Sequence, residues 1–127
     1  MKNALKNSKL KTEDIQYINV HGTGTDNNDV TEGLAMEKLF GDNVPPFSST
    51  KTYTGHTLGA AGAVEAVYSI LAIENNVIFP NLNFKQQIPE LSIFPATVVI
   101  ENAGVKNVMS NSFGFGGNGT TLIFSKE

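Results

Sequence analysis

The sequence predicts a single α/β domain. Two stretches, residues 29–40 and 59–76, carry apolar residues at helical spacing, and short apolar runs typical of buried strands lie before and after them. The 127 residues suffice for one domain with a buried core. No repeat, low-complexity tract or linker divides the chain. We therefore treat residues 1–127 as one unit in which strands and helices pack on each other.

The N-terminal half is predicted to alternate helix, strand, helix and strand, over residues 2–11, 15–20, 29–40 and 47–49. The first helix is amphipathic, with four lysines on a solvated face. Residues 26–29 (DNND) are turn and capping types that precede the second helix, and Gly41 is a typical stop signal. Two prolines at 45–46 break the chain before the second strand.

The C-terminal half begins with the longest predicted helix, over residues 59–76. Its first turns contain only glycine and alanine, so we expect it to lie close to another backbone in the centre of the fold. Prolines make residues 80–95 irregular. Short apolar or alternating runs predict the remaining strands, over residues 77–79, 97–101, 107–113 and 120–124.

Composition excludes several classes of function. The net charge is −3 and all nine basic residues are lysines, which argues against nucleic-acid binding because phosphate and guanine recognition favour a basic, arginine-bearing surface. The chain contains no cysteine, hence no disulfide, thiolate metal site or cysteine nucleophile. Neither a run of 18 apolar residues nor a signal peptide is present, so we expect no membrane partner and a cytoplasmic location.

The first candidate for chemistry is His21, which follows a buried strand in a turn rich in glycine and threonine. Reactive groups in α/β proteins are often placed at the carboxyl ends of strands, and histidine titrates closest to neutral pH. The alternative is a structural histidine near a turn.

The second candidate is the pair Lys51 and His56, just ahead of the longest helix. Near a helix N-terminus, such a pair could hold a neutral imidazole or stabilise an oxyanion. Alternatively, Lys51 is solvated and His56 caps the helix. Glu65 lies within the apolar helix and needs a partner if it is buried; otherwise it faces water.

The third candidate is the segment 111–119, whose glycines at 114, 116 and 119 formally match the dinucleotide-binding pattern GxGxxG. The pattern requires a helix afterwards, and residues 120–124 predict a strand, so we reject that interpretation. Glycines beside Phe113 and Phe115 instead suggest that main-chain amides approach a substrate while the two rings wall a channel.

Together the three clusters resemble the β-ketoacyl synthases, the condensing enzymes of fatty-acid and polyketide synthesis. The matching stretches are NVHGTGT at 19–25, KTYTGHTLGAAG at 51–62 and MSNSFGFGG at 109–117. The resemblance implies the C-terminal half of a thiolase-like fold, with a mixed sheet of five or fewer strands packed against helices. Residues 1–127 would then form the β-ketoacyl synthase C-terminal domain. The family's nucleophilic cysteine lies in the N-terminal half, so we expect this chain to be inactive alone.

The resemblance also implies roles for individual residues. His21, His56 and Lys51 match catalytic residues of a decarboxylative Claisen condensation, and Phe115 and Phe113 match the gate of the acyl pocket and its oxyanion hole. Glu65 matches a carboxylate that pairs with the lysine or helps to bind a structural cation. The other residues implied for that cation are Asn19 and Ser110. No cofactor is implied. Asp26 departs from the proline that the family often has there, which affects the local loop.

The implied partners are acyl carrier protein, acyl and malonyl thioesters, and a second copy of the full-length protein. The alternative function is a non-catalytic scaffold subunit of a ketosynthase heterodimer, similar to a chain-length factor. Such subunits tend to lose active-site residues, whereas His21, Lys51 and His56 are present. A thiolase without decarboxylation is disfavoured because thiolases use a cysteine in this half. We also expect the isolated chain to expose apolar surface along the helix at 59–76.

Overall fold

The computed structural model describes residues 1–127 and contains four α-helices and six strands. The helices are α1 (Lys2–Ser8), α2 (Asp26–Phe40), α3 (Lys51–Thr54) and α4 (Ala61–Asn75). The strands are β1 (Tyr17–Asn19), β2 (Phe47–Ser48), β3 (Val77–Ile78), β4 (Ile100–Glu101), β5 (Asn107–Phe113) and β6 (Gly119–Ser125). Short 3₁₀ turns occur at Thr12–Asp14, Leu58–Ala60 and Phe115–Gly117.

Four strands form one mixed sheet in the order β2-β1-β5-β6. β1 is parallel to both of its neighbours, with Tyr17 opposite Val108, and β5 and β6 are antiparallel. β3 and β4 form a separate two-stranded antiparallel ribbon. The prediction of an α/β fold with a mixed sheet of five or fewer strands is confirmed.

Helices cover both faces of the sheet. Side chains of successive strand residues point to opposite faces, and Tyr17 and Ile18 accordingly belong to different core clusters. Ile18 packs with Met36 and Phe40 of α2. Tyr17 packs with Ala72 of α4 and with residues of β3 and β5. The sheet is therefore the middle layer of three, and the carboxyl ends of β1 and β2 emerge between the helices.

The second predicted helix begins earlier than expected. Asp26 to Asp29 form the first turn of α2 rather than a preceding turn, and Thr25 is the N-cap residue. Two aspartates in a first turn interact favourably with the helix dipole, which accounts for the earlier start. Gly41 ends the helix with φ of +61°, as expected.

Two further segments differ from the prediction. Lys51–Thr54 form a single helical turn, α3, which is too short to show apolar periodicity in the sequence. The strand expected over 97–101 is reduced to Ile100–Glu101, because only these two residues pair with β3. Residues 107–113 form a strand with the predicted bounds.

The longest helix was expected in the centre of the fold, and this expectation is only half right. α4 buries one side, including Glu65 and Ala72, against the sheet. Its other side exposes Val67, Ile70 and Leu71, with Val67 56% exposed. None of the helices has both the length and the apolar character needed to cross a membrane.

Candidate active site

His21 lies at the carboxyl end of β1, in a turn that is hydrogen-bonded by Glu32 and by Ser49. Its backbone N–H and that of Gly22 each donate to a carboxylate oxygen of Glu32 at 3.0 Å. The Ser49 hydroxyl donates to the Gly22 carbonyl at 2.7 Å. Gly22 has φ of +38°, and a Cβ there would lie 2.7 Å from Ser49 Cβ. Only glycine fits this turn, which presents the buried His21 side chain in one position.

Lys51 follows β2 and points its side chain at His21. The ammonium donates to the His21 carbonyl at 2.5 Å and lies 3.3 Å from His21 Nδ1. It also forms a buried ion pair with Glu65 Oε1. Because a lysine ammonium can donate but not accept, Nδ1 of His21 is the acceptor. The neutral ring therefore carries its proton on Nε2.

Glu65, on the buried side of α4, is 1% exposed. Its second oxygen, Oε2, accepts from the Ser112 hydroxyl at 3.0 Å, and its carbonyl accepts from the Asn19 side chain at 3.2 Å. The resemblance implies that Glu65 either pairs with the lysine or helps to bind a cation, and in the structure it pairs with Lys51.

The residues expected around a structural cation lie together, since Asn19 and Ser110 are opposite each other in β1 and β5. Their polar side-chain atoms are largely used within the protein. Both oxygens of Glu65 have donors, and Asn19 Oδ1 accepts from Thr50 at 3.3 Å. No cluster of three or more His, Cys, Asp or Glu side chains could hold a metal ion. The ammonium already neutralises Glu65, so this set of side chains does not fit a metal cation.

His56 lies beside His21, although the two are far apart in sequence. The ring centroids are 5.5 Å apart in an edge-to-face arrangement. The backbone N–H of Leu58 donates to His56 Nδ1 at 3.2 Å, and Leu58 adopts a left-handed φ of +51° that is uncommon for leucine. Nδ1 is thus an acceptor here too, and the neutral ring carries its proton on Nε2. His56 itself is exposed.

The environment keeps His21 uncharged. Burial, followed by the positive charge of Lys51 and the neighbouring His56, lowers the pKa of His21 from 6.5 to about 4. At neutral pH the ring is therefore a neutral hydrogen-bond donor through Nε2.

The two phenylalanines occupy different environments. Phe113, at the end of β5, places its ring 5.8 Å from that of His21 in an edge-to-face contact. Phe115 lies in the turn between β5 and β6 and is fully exposed. Gly116 and Gly117 follow with positive φ values, a conformation that favours glycine. The structure thus brings Phe113 to His21 and leaves Phe115 exposed in the turn that follows β5.

Glu32 contributes to the site and was missed from the sequence. Besides holding the His21 turn, its carboxylate accepts from the Asn111 side chain at 3.0 Å. Burial raises the pKa of Glu32, while its three N–H donors oppose that shift. The sequence did contain an indication of this role. The buried side of α2 carries residues spaced by four, namely Glu32, Met36 and Phe40, and a carboxylate on such a side requires hydrogen-bond partners.

Ser112 lies in the third motif, but its contact with Glu65 was not predicted. Its partner Glu65 is 47 positions away in the chain, so no local pattern indicates the contact.

A cleft of about 290 Å³ lies nearby, between α2 and the segment 81–95. Gly22 and Lys51 line it, but His21, His56 and Phe113 do not. The paired histidines therefore lie outside this cleft.

Two imidazoles side by side, each with Nε2–H as its donor, can hydrogen-bond an oxygen that gains negative charge. The buried Lys51 and Glu65 set the tautomer of one of them. A three-layer fold with this site at the carboxyl ends of its parallel strands defines a thiolase-like ketosynthase domain.

The comparisons with known proteins identify the family. Residues 1–85 match the family model "Beta-ketoacyl synthase, C-terminal domain". The chain therefore belongs to the β-ketoacyl synthase family, and the predicted resemblance is confirmed.

Curated relatives agree with this assignment. The chain is 50% identical over 115 residues to 3-oxoacyl-[acyl-carrier-protein] synthase 1 of Haemophilus influenzae, covering 88% of this chain and 28% of the relative. It is 42% identical over 128 residues to 3-oxoacyl-[acyl-carrier-protein] synthase 2 of Coxiella burnetii, covering 99% and 31%. The chain thus spans less than a third of the length of these two relatives.

Solved structures confirm the fold. A β-ketoacyl synthase from Burkholderia phymatum matches with a TM-score of 0.91 at 41% identity, covering 100% of this chain and 31% of that one. The ishigamide ketosynthase/chain length factor also gives a TM-score of 0.91, at 36% identity over 99% of this chain and 31% of that one.

Proposed function

We propose that residues 1–127 are the C-terminal domain of a condensing enzyme that joins an acyl thioester to malonyl-acyl carrier protein by decarboxylative Claisen condensation. The observation that carries this proposal is the pair of neighbouring imidazoles, His21 and His56, each of which accepts a hydrogen bond on Nδ1 and so leaves Nε2–H as the donor. The names of the relatives, which are 3-oxoacyl-[acyl-carrier-protein] synthases, support the same reaction class.

The first step for which these residues are suited is decarboxylation. When the malonyl carboxylate leaves as CO₂, the electron pair of the broken carbon–carbon bond moves to the α-carbon and onto the thioester oxygen. Two Nε2–H donors stabilise that enolate oxygen better than they stabilise the neutral carbonyl. Because His21 is neutral at physiological pH, it donates without transferring a proton to the enolate.

The second step forms the new bond. The enolate carbon attacks the acyl thioester carbonyl, and the electron pair of the breaking carbon–sulfur bond leaves on the sulfur. That sulfur belongs to a cysteine outside this chain, which has none. Lys51 keeps His21 in the donating tautomer, and Glu65 balances the lysine charge. Phe113 packs against His21, and Phe115, with its backbone amide, gates the acyl pocket and contributes to the oxyanion hole.

We further propose that the chain is inactive alone and works in a dimer of the full-length protein with acyl carrier protein as its partner. One related structure, 29% identical, is described as a ketosynthase in complex with an acyl-carrier protein. Another, 38% identical, is described as a ketosynthase in complex with its chain length factor. A heterodimer is therefore an alternative assembly.

A chimera tests the proposal directly. The segment of the Haemophilus influenzae synthase that matches this chain would be replaced by residues 1–127, and CO₂ release and product formation from malonyl-acyl carrier protein would be measured. We expect both activities in the chimera and neither in the isolated chain. His21→Ala and His56→Ala should abolish decarboxylation.

A folded chimera that binds the carrier protein but releases no CO₂ would contradict a catalytic role. It would favour instead a scaffold subunit of the chain-length-factor type. The presence of Lys51 at His21, whose ring lies next to that of His56, is the observation that favours catalysis.

A further inference from the structure

We propose that Ser112 is a positioning residue of this site, whose hydroxyl orients the Glu65 carboxylate so that the Lys51 ammonium remains at His21 Nδ1. The consequence for the reaction rests on the proposed function, whereas the effect on His21 does not. Ser112 lies within the motif at 109–117, but the sequence indicated no individual role for it in catalysis or cation binding.

The carboxylate of Glu65 receives one hydrogen bond on each oxygen. Ser112 donates to Oε2 at 3.0 Å, and Lys51 pairs with Oε1. With its two oxygens held by donors from different elements, β5 and the start of α3, the carboxylate has one orientation. The ammonium is thereby shared between a single carboxylate oxygen and His21, where it reaches both the carbonyl and Nδ1.

A glycine of α4 provides the space for this hydroxyl. A Cβ added at Gly62 would lie 3.2 Å from Ser112 Oγ, and the next nearest atom, Ser112 Cβ, would be 3.9 Å away. Alanine is the better helix former, so a glycine within α4 needs a specific reason. The hydroxyl of Ser112 is the only side-chain group that an alanine there would crowd.

Removal of the hydroxyl frees one oxygen of a buried carboxylate. An unsatisfied buried acceptor is costly, and the ammonium of Lys51 is the only donor left to satisfy it. We expect the carboxylate to turn until Lys51 bridges both oxygens, which draws Nζ away from His21 Nδ1. Without that donor, the Nδ1–H tautomer of His21 becomes populated, and Nε2 no longer donates in that fraction of molecules.

The test is the tautomer of His21, read from the ¹⁵N chemical shifts of its ring in the 127-residue chain at pH 7. We expect Nε2–H alone in the unmodified chain and a mixture of both tautomers in Ser112→Ala. The control is Ser69→Ala: Ser69 is also a serine beside Glu65, fully buried where Ser112 is half-buried, but it donates to the backbone carbonyl of Glu65 at 2.8 Å and not to the carboxylate.

Gly62→Ala is a second route to the same state, in case Ser112→Ala does not fold. Because the added methyl displaces the hydroxyl, it should also produce a tautomer mixture. In the Ser112→Ala background it should change the mixture no further. The proposal is overturned if Ser112→Ala and Gly62→Ala both leave His21 in the Nε2–H form, or if Ser69→Ala alters the tautomer as much.

The chimera described above links the tautomer to the reaction. Ser112→Ala should lower kcat for CO₂ release roughly fivefold, the usual effect of one hydrogen bond, with KM unchanged, and Ser69→Ala should leave both constants unchanged. A chimera that is inactive with the unmodified chain would count against the proposed function, while the ring shifts would still decide the role of Ser112.

Discussion

Replacing Lys51 by methionine tests the electrostatic balance of the site most severely. The substitution keeps a flexible side chain of similar length but removes the ammonium that pairs with Glu65 and donates to the His21 carbonyl. Glu65, 1% exposed, is then a buried carboxylate with no compensating charge. Removing one partner of a buried ion pair costs about 3–5 kcal/mol. Domains are stable by about 5–15 kcal/mol in total, so this loss is large.

Equilibrium unfolding in urea of the 127-residue chain measures the effect. We expect Lys51→Met to lower the free energy of unfolding by about 3–5 kcal/mol at pH 7. The double variant Lys51→Met/Glu65→Leu, which removes both charges, should recover most of that loss, since apolar replacements of a buried pair are often neutral. A loss below about 1 kcal/mol in the single variant, or no recovery in the double variant, would refute the description of Lys51 and Glu65 as a mutually dependent buried pair.

Three further predictions concern other parts of the chain. Because the pKa of His21 falls from 6.5 to about 4 on folding, the unfolded chain binds more protons between these values. The contribution of His21 to stability should thus be complete above pH 6.5 and decline towards pH 4, as unfolding at a series of pH values would show. Glu32→Gln exchanges an acceptor oxygen for an NH₂ group facing N–H donors, and should cost about 1–3 kcal/mol of stability. The exposed side of α4 should cause self-association that rises with concentration in sedimentation experiments, and Val67→Glu should reduce it.

Each of these predictions has a control. His21→Gln should remove the part of the pH dependence that lies between pH 6.5 and 4, and an unchanged profile would contradict the assignment to His21. Glu74→Gln alters an exposed glutamate of α4 and should cost less than Glu32→Gln. If the chain sediments as a monomer at all concentrations and binds no hydrophobic dye, the prediction that the exposed side of α4 causes self-association is wrong.

Much of the fold followed from local patterns. β5 was predicted with its observed bounds because Val108, Met109 and Phe113 lie in a short segment that ends at a glycine cluster. The start of α2 was misplaced because aspartate and asparagine are good residues both for turns and for first helical turns. α3 was missed because four residues are fewer than the spacing needed to show a helical period.

The main residues of the candidate site were predicted from the sequence, but the hydrogen bonds that orient them were not. Motif resemblance indicated His21, Lys51 and His56, and the structure brings their side chains together. The contacts that orient them come from Glu32 and Ser112, whose partners are distant in sequence or are backbone groups. Such long-range hydrogen bonds depend on how helices and strands pack, which apolar periodicity does not specify.

The central position of β1 has a consequence for how the protein is made. The strand that precedes His21 pairs in parallel with β5, and Tyr17 lies opposite Val108. This edge of β1 therefore stays uncovered during synthesis until the ribosome has added Val108. At ribosomal rates of about 5–20 residues per second, the wait is roughly 5–20 s. During this time an apolar strand edge is open to other nascent chains. Recovery of correctly folded chain should therefore depend on chaperones and on expression rate more than a protein of this size would otherwise require.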